Sequence, residues 1–193
     1  EVEYVEMPKR LYFEQVDGRW DICWEEVSAR TPNLTGEGVL IAIIDSGIDY
    51  YHPDFRNEDG TTRIVELWDQ TIQGTPPAGY NIGTVYTRDK INEAIAAGSR
   101  FKALEIVPST DVSGHGTHVA GIACGGGRAG EEKNRGVAYE SDMLIIKLGT
   151  SINASYPSTA QLMQAINYSI RKAEELDQPV AINLSFGNSY GSH

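Results

Sequence analysis

Two segments of this 193-residue chain carry residue types that can do chemistry together: VLIAIIDSGID, residues 39–49, and GHGTHVAGIACG, residues 114–125. The first offers Asp45 and the second His115, 70 positions later. A serine hydroxyl is a poor nucleophile until a base takes its proton, and a neutral imidazole can do that near neutral pH. The imidazole must present the correct nitrogen. A buried carboxylate on its other side holds that tautomer and stabilises the imidazolium. A carboxylate after a strand is common, so Asp45 alone says little. His115 is more informative, because Gly114 and Gly116 flank it and allow close backbone packing at the start of a helix.

Seventy intervening residues mean that only a fold can unite the pair. VLIAIID is a continuous run of β-forming residues, which reads as a parallel strand buried on both faces. Asp45 then sits at the carboxyl end of the strand, the edge where open α/β sheets build sites. MLIIKLG (143–149) and VAINLSF (180–186) read as two more such strands. Between them Leu162, Ile166, Ser169, Ile170, Ala173 and Leu176 recur at helical spacing. Strand, helix and strand in that order form a βαβ unit, and the class is α/β. THVAGIA predicts a helix that leans its small face on the sheet, stopped by Gly125-Gly126-Gly127.

The stretch 55–112 differs. RIVELWDQTI and FKALEIVP read as strands, and DKINEAIAAG as a short helix ended by Gly98. We read it as an inserted connection lying over the sheet. Upstream, Trp20, Trp24 and Val27 fall at helical spacing until Thr31-Pro32-Asn33 breaks the pattern. Residues 1–16 alternate as an extended segment interrupted by Pro8.

The formal net charge of −11 argues against nucleic acid as a partner. No apolar run approaches the ~20 residues that a membrane span needs. EVEYVEMPKR has neither the basic nor the apolar region of a secretory leader. Cys23 and Cys124 belong to no metal-binding pattern and read as free thiols. His115 and His118 form an HxxH pair without a third ligand, so His118 reads as a packing residue and no metal is assigned. No cofactor is assigned either, since the glycine run 125–127 lacks the lysine pattern of a phosphate loop.

The segments IAIIDSGID, HPDF, GHGTHVAGIA, GVAYESDMLIIKL and INLSFG resemble, in this order, the subtilisin-like (subtilase) serine peptidases. The likeness runs from about residue 30 to residue 193. It implies a doubly wound parallel sheet with helices on both faces, of which this chain holds the N-terminal half. It implies that Asp45 orients His115 and that His115 is the general base. Ser185, Phe186 and Gly187 would form one wall of the substrate's P1 pocket, and residues 151–156 a backbone edge for an extended substrate. The Asp of HPDF binds calcium in some relatives, but too few oxygen ligands are identifiable here for that ion. Asn183, mid-strand beside the pocket wall, reads as structural rather than as an oxyanion donor.

Residues 1–15 look similar to the tail of a subtilase propeptide, with Gln15 the expected residue before a self-cleavage point. Residues 16–193 are then the first half of a catalytic domain. PKRLYF, the long 55–112 connection and SFGNSYGSH are similar to the clostridial spore-germination (Csp) group of the family. That likeness implies a secreted or spore-associated location. The nucleophilic serine and the oxyanion-hole asparagine of the family have no counterpart here, and Ser192 lacks the context of a nucleophile. The expected partners are therefore a protein or peptide substrate, the remainder of the same protein that carries the serine, and its own propeptide. The alternative reading is a pseudopeptidase that binds partners through the same cleft.

Overall fold

A computed structural model describes residues 23–130, 134–148 and 159–185. The chain divides into two units, 1–32 and 33–193. In the first, α1 (Trp24–Arg30) is a two-turn helix with no buried residue. It stops at Thr31, whose hydroxyl donates back to the Val27 carbonyl at 2.6 Å. Trp20 and the expected propeptide tail lie outside the described residues.

The second unit is built on a five-stranded sheet. Its strands are β1 (Leu40–Asp45), β2 (Ile64–Asp69), β3 (Thr84–Thr87), β4 (Asp142–Lys147) and β5 (Val180–Leu184). Their spatial order is β3-β2-β4-β1-β5. β2, β4, β1 and β5 run parallel, and β3 is antiparallel on the edge beside β2. The three apolar runs thus become strands as expected. β4 and β5 are joined through the long helix α5 (Thr159–Leu176) but do not touch, because β1 lies between them.

The apolar runs of β1 and β4 are explained by burial on both sides, whereas β5, expected to be buried in the same way, lies at the sheet edge with no buried residue. Ile43, Leu67, Met143 and Ile145 face one layer, which holds α2 (Arg88–Ala96), α3 (Arg100–Ile106) and α4 (His115–Cys124). Ala42, Ile44, Trp68, Leu144 and Ile146 face the other, where α5 supplies Ala165, Tyr168 and Ala173. Alternate residues of one strand therefore serve opposite cores, and β1 and β4 are apolar at every interior position.

Two expectations for the 55–112 stretch are corrected. FKALEIVP is helical, in α3, rather than a strand. Ser99 caps this helix by accepting the Lys102 N–H, and buried Ala103 and Val107 with half-buried Ile106 repeat at three and four residues. Phe101, which made the segment look β-forming, is 75% exposed. The stretch also does not merely lie over the sheet, since it contributes β2 and β3 to it. The short strand β3, TVYT, carries too little pattern to stand out among its loops.

Candidate active site

α4 is the element on which the site depends. Its buried residues are Gly116, Ala120 and Cys124, one small residue per turn, and that stripe brings the helix axis close to β1. Gly116 is the closest approach. A Cβ built there would stand 2.2 Å from the Gly47 carbonyl oxygen and 3.1 Å from the Asp45 Cβ. Gly114 has a different role from the packing expected of it. Its φ is +77°, a left-handed turn into the helix, and nothing lies within 4 Å of where a side chain would begin.

This docking makes His115 the first residue of α4 and sets it over the end of β1. His115 Nδ1 lies 2.8 Å from Asp45 Oδ1. Asp45 is 1% exposed, and its Oδ1 also accepts the Ser46 N–H at 2.7 Å. The His115 side chain is 48% exposed. A carboxylate only accepts, so it holds the proton on Nδ1 and leaves the Nε2 lone pair on the open edge of the ring.

The start of α4 shows how the ring is held. A helix leaves its first N–H groups without intrahelical partners. Here each is taken by a side chain, and none of these belongs to the N-cap residue Gly114. Asp111 Oδ1 accepts Gly114 N–H at 3.0 Å, and Asp111 Oδ2 accepts Thr117 N–H at 2.8 Å. Ser113 Oγ accepts His115 N–H at 3.1 Å, and Ser46 Oγ accepts Gly116 N–H at 3.0 Å. Ser46 in turn donates to Asp111 Oδ1 at 2.9 Å. The Thr117 hydroxyl donates to Asp111 Oδ2 at 2.7 Å and accepts the Asp49 N–H at 2.9 Å. Burial works to raise the Asp111 pKa, but the hydrogen bonds from Thr117, Ser46 and Gly114 outweigh it and hold the carboxyl below its usual range.

A second polar group lies along the same sheet edge. Asp45, Lys147 and Asp69 are level with one another at the ends of β1, β4 and β2. Asp69 is fully buried, and its Oδ2 lies 3.5 Å from Lys147 Nζ and accepts the Ser109 hydroxyl at 2.6 Å. Lys147 Nζ also donates to the Thr110 carbonyl at 2.7 Å. Residues 109–110 are thereby tied down immediately before Asp111.

The structure thus unites Asp45 and His115. Ser185 follows Leu184, which is registered with Ile44, so it stands at the same sheet edge. It is exposed, and its hydroxyl donates to Asn183 Oδ1 at 2.8 Å. Phe186, Gly187, Ser192 and residues 151–156 lie outside the described residues. His118 is half-buried in α4. Asp54 caps a loop, its Oδ1 accepting the Ala129 N–H at 2.6 Å. Among the described residues no cluster of three His, Cys, Asp or Glu could hold a metal, and no helix is long and apolar enough to cross a membrane. Both cysteines are free. Sequence reasoning missed Asp111, Ser46, Thr117 and the Asp69–Lys147 pair. The available signal was an acid placed three residues before a glycine that opens a helix.

A mostly parallel α/β sheet with a carboxylate–imidazole pair at its carboxyl edge puts the chain in the class of open α/β proteins whose sites lie at that edge. Within it, this chain belongs to the subtilase family, whose profile matches residues 36–193. Subtilisin of Bacillus sp. (strain TA39) is 30% identical over 84% of this chain and 30% of that protein. Serine protease AprX of Bacillus subtilis (strain 168) is 27% identical over 84% of this chain and 28% of that protein. Among solved structures, the Clostridium perfringens CspB protease superposes with a TM-score of 0.76 and 37% identity, over 92% of this chain and 34% of that one. The chain therefore spans about a third of the length of the relatives it matches. These relatives are subtilisin-like serine proteases, and the likeness to the Csp group read from the sequence is shown by the CspB structure.

Proposed function

We propose that the protein to which this chain belongs is a serine endopeptidase in which Asp45 and His115 supply two of three catalytic groups. The observation that carries the reading is the 2.8 Å contact between the ring of a half-exposed His115 and a carboxylate that is 1% exposed. In the reaction, His115 Nε2 takes the proton of a serine hydroxyl supplied by the remainder of the protein. The serine oxygen attacks the peptide carbonyl, and His115 returns the proton to the leaving amine. Water, activated by the same base, then releases the acyl group. Asp45 holds the ring and stabilises the imidazolium throughout. Ser185 would border the substrate's P1 side chain at the same sheet edge. The partners under this reading are a polypeptide substrate and the serine-bearing part of the same protein. Residues 1–15 would be the tail of its propeptide, and membership of the Csp group would imply a role in spore germination.

The test is peptide hydrolysis by the full-length protein and by its His115→Ala variant. The variant should lose on the order of 10⁶ in kcat, as loss of the base from such a unit does. Near-normal turnover in the variant would reject the role. A wild-type protein that hydrolyses no peptide would instead favour the pseudopeptidase reading.

A further inference from the structure

We infer that Asp111 is a positioning residue for the reaction proposed above, locking the first turn of α4, and His115 with it, onto the strand end that carries Asp45. The inference rests on that functional reading for its kinetic consequence, but its geometry stands separately. Five donor groups converge on the one carboxylate. Ser46 Oγ at 2.9 Å, Gly114 N at 3.0 Å and Ser113 Oγ at 3.2 Å reach Oδ1. Thr117 N at 2.8 Å and Thr117 Oγ1 at 2.7 Å reach Oδ2. Gly114 and Thr117 bracket His115 on the helix, whereas Ser46 follows Asp45 directly. Asp111 therefore clasps both halves of the catalytic pair without touching either.

The clasp is itself anchored. Ser109 is bonded to buried Asp69, and Thr110 to Lys147, which is level with Asp45 in the neighbouring strand. Two strands of the sheet thus fix the backbone from which Asp111 projects. The chemistry also requires a carboxylate. An ionised acid accepts at both oxygens, and both oxygens face donors here. An asparagine of the same shape would turn an N–H₂ toward either Gly114 N–H or Thr117 N–H, and one bond would become a repulsion.

A purely structural helix cap would lower the melting temperature and leave turnover of the folded protein alone. A positioning residue would do more, because misplacing a catalytic group by about 1 Å costs on the order of 10² in rate. The experiment uses the full-length protein and its Asp111→Asn and Thr117→Val variants, assayed well below their melting temperatures. The second variant keeps the carboxylate and removes one of its donors, which covers the case in which Asp111→Asn does not fold. Expected is a kcat reduced about 10- to 100-fold in Asp111→Asn and less in Thr117→Val, with KM within about twofold. The proton resonance of His115 Nδ1 should also shift, as the contact with Asp45 is disturbed. Wild-type kcat in every folded variant would overturn the inference. If the wild-type protein cleaves nothing, the functional reading fails, and the His115 Nδ1 resonance still decides the placement: a shift in the variants supports it and an unmoved signal refutes it.

Discussion

Gly116→Ala tests how closely α4 must approach β1. The added Cβ would lie 2.2 Å from the Gly47 carbonyl oxygen, where real Cβ atoms stay beyond 3.0 Å, so the helix must retreat by about 0.8 Å. The obstacle is backbone, not the end of a flexible side chain, and it cannot swing aside. Two effects oppose each other. Alanine is the better helix former by about 1 kcal/mol. Overpacking a dense contact costs about 1–3 kcal/mol. A clash with backbone belongs at the upper end of that range, so the variant should be net less stable by about 1–2 kcal/mol. His115 is the adjacent residue, and its 2.8 Å contact with Asp45 has little slack. A retreat of this size stretches it beyond hydrogen-bonding range, which should cost on the order of 10² in kcat. The assay is denaturant unfolding of the full-length protein alongside peptide hydrolysis under folding conditions. A variant as stable as wild type with unchanged kcat would refute the close-approach argument, for then α4 is not held where the geometry requires.

Lys147→Met removes the cation from fully buried Asp69, and stability should fall toward the lower end of the about 3–5 kcal/mol seen when one partner of a buried pair is lost. The lower end applies because Ser109 and Thr71 still donate to Asp69; a loss under about 1 kcal/mol by chemical unfolding would contradict this. Burial pushes the Cys124 thiol up to about 11, against the opposing pull of Ser141 and Arg63. A raised thiol pKa leaves the reactive thiolate scarce until the pH nears that value. Alkylation of Cys124 followed by peptide mapping should therefore be slow at pH 8, rise toward pH 11 and become rapid in denaturant, and rapid native labelling at pH 8 would show that it is not buried.

Much of this was legible because some contacts write themselves into local sequence. The runs 40–45 and 142–147 are apolar at every interior position, since each faces two cores. Gly116 announces a close approach because nothing larger fits. α3 was misread because Phe101 and Ile106 are β-forming, whereas capping by Ser99 and burial of Ala103 decide its state. β3 is only four residues long and owes its existence to pairing with β2. The clasp around Asp111 left only a faint mark, an acid three residues before the glycine that opens α4, for another reason. Its key partner, Ser46, is 65 positions away, and Asp111 itself reads locally as an ordinary loop acid. Capping from outside the N-cap position leaves no motif of the usual Ser or Thr kind.

The choice of a carboxylate for that cap follows from where the base sits. A helix N-terminus carries a partial positive charge, which disfavours a cation there by about 0.3–1 kcal/mol. His115 is the first residue of α4, and under the proposed function it must become an imidazolium at each chemical step. Serine or threonine caps would satisfy the N–H groups but leave that charge in place. Asp111 satisfies two of them and brings a negative charge, and Asp45 adds another directly on the ring through a charge-assisted hydrogen bond. The partial positive charge of the helix end is thus offset by the residues that also fix its geometry. The capping of the N–H groups and the balance of the helix-end charge are met by one arrangement, and a neutral isostere of Asp111 loses both.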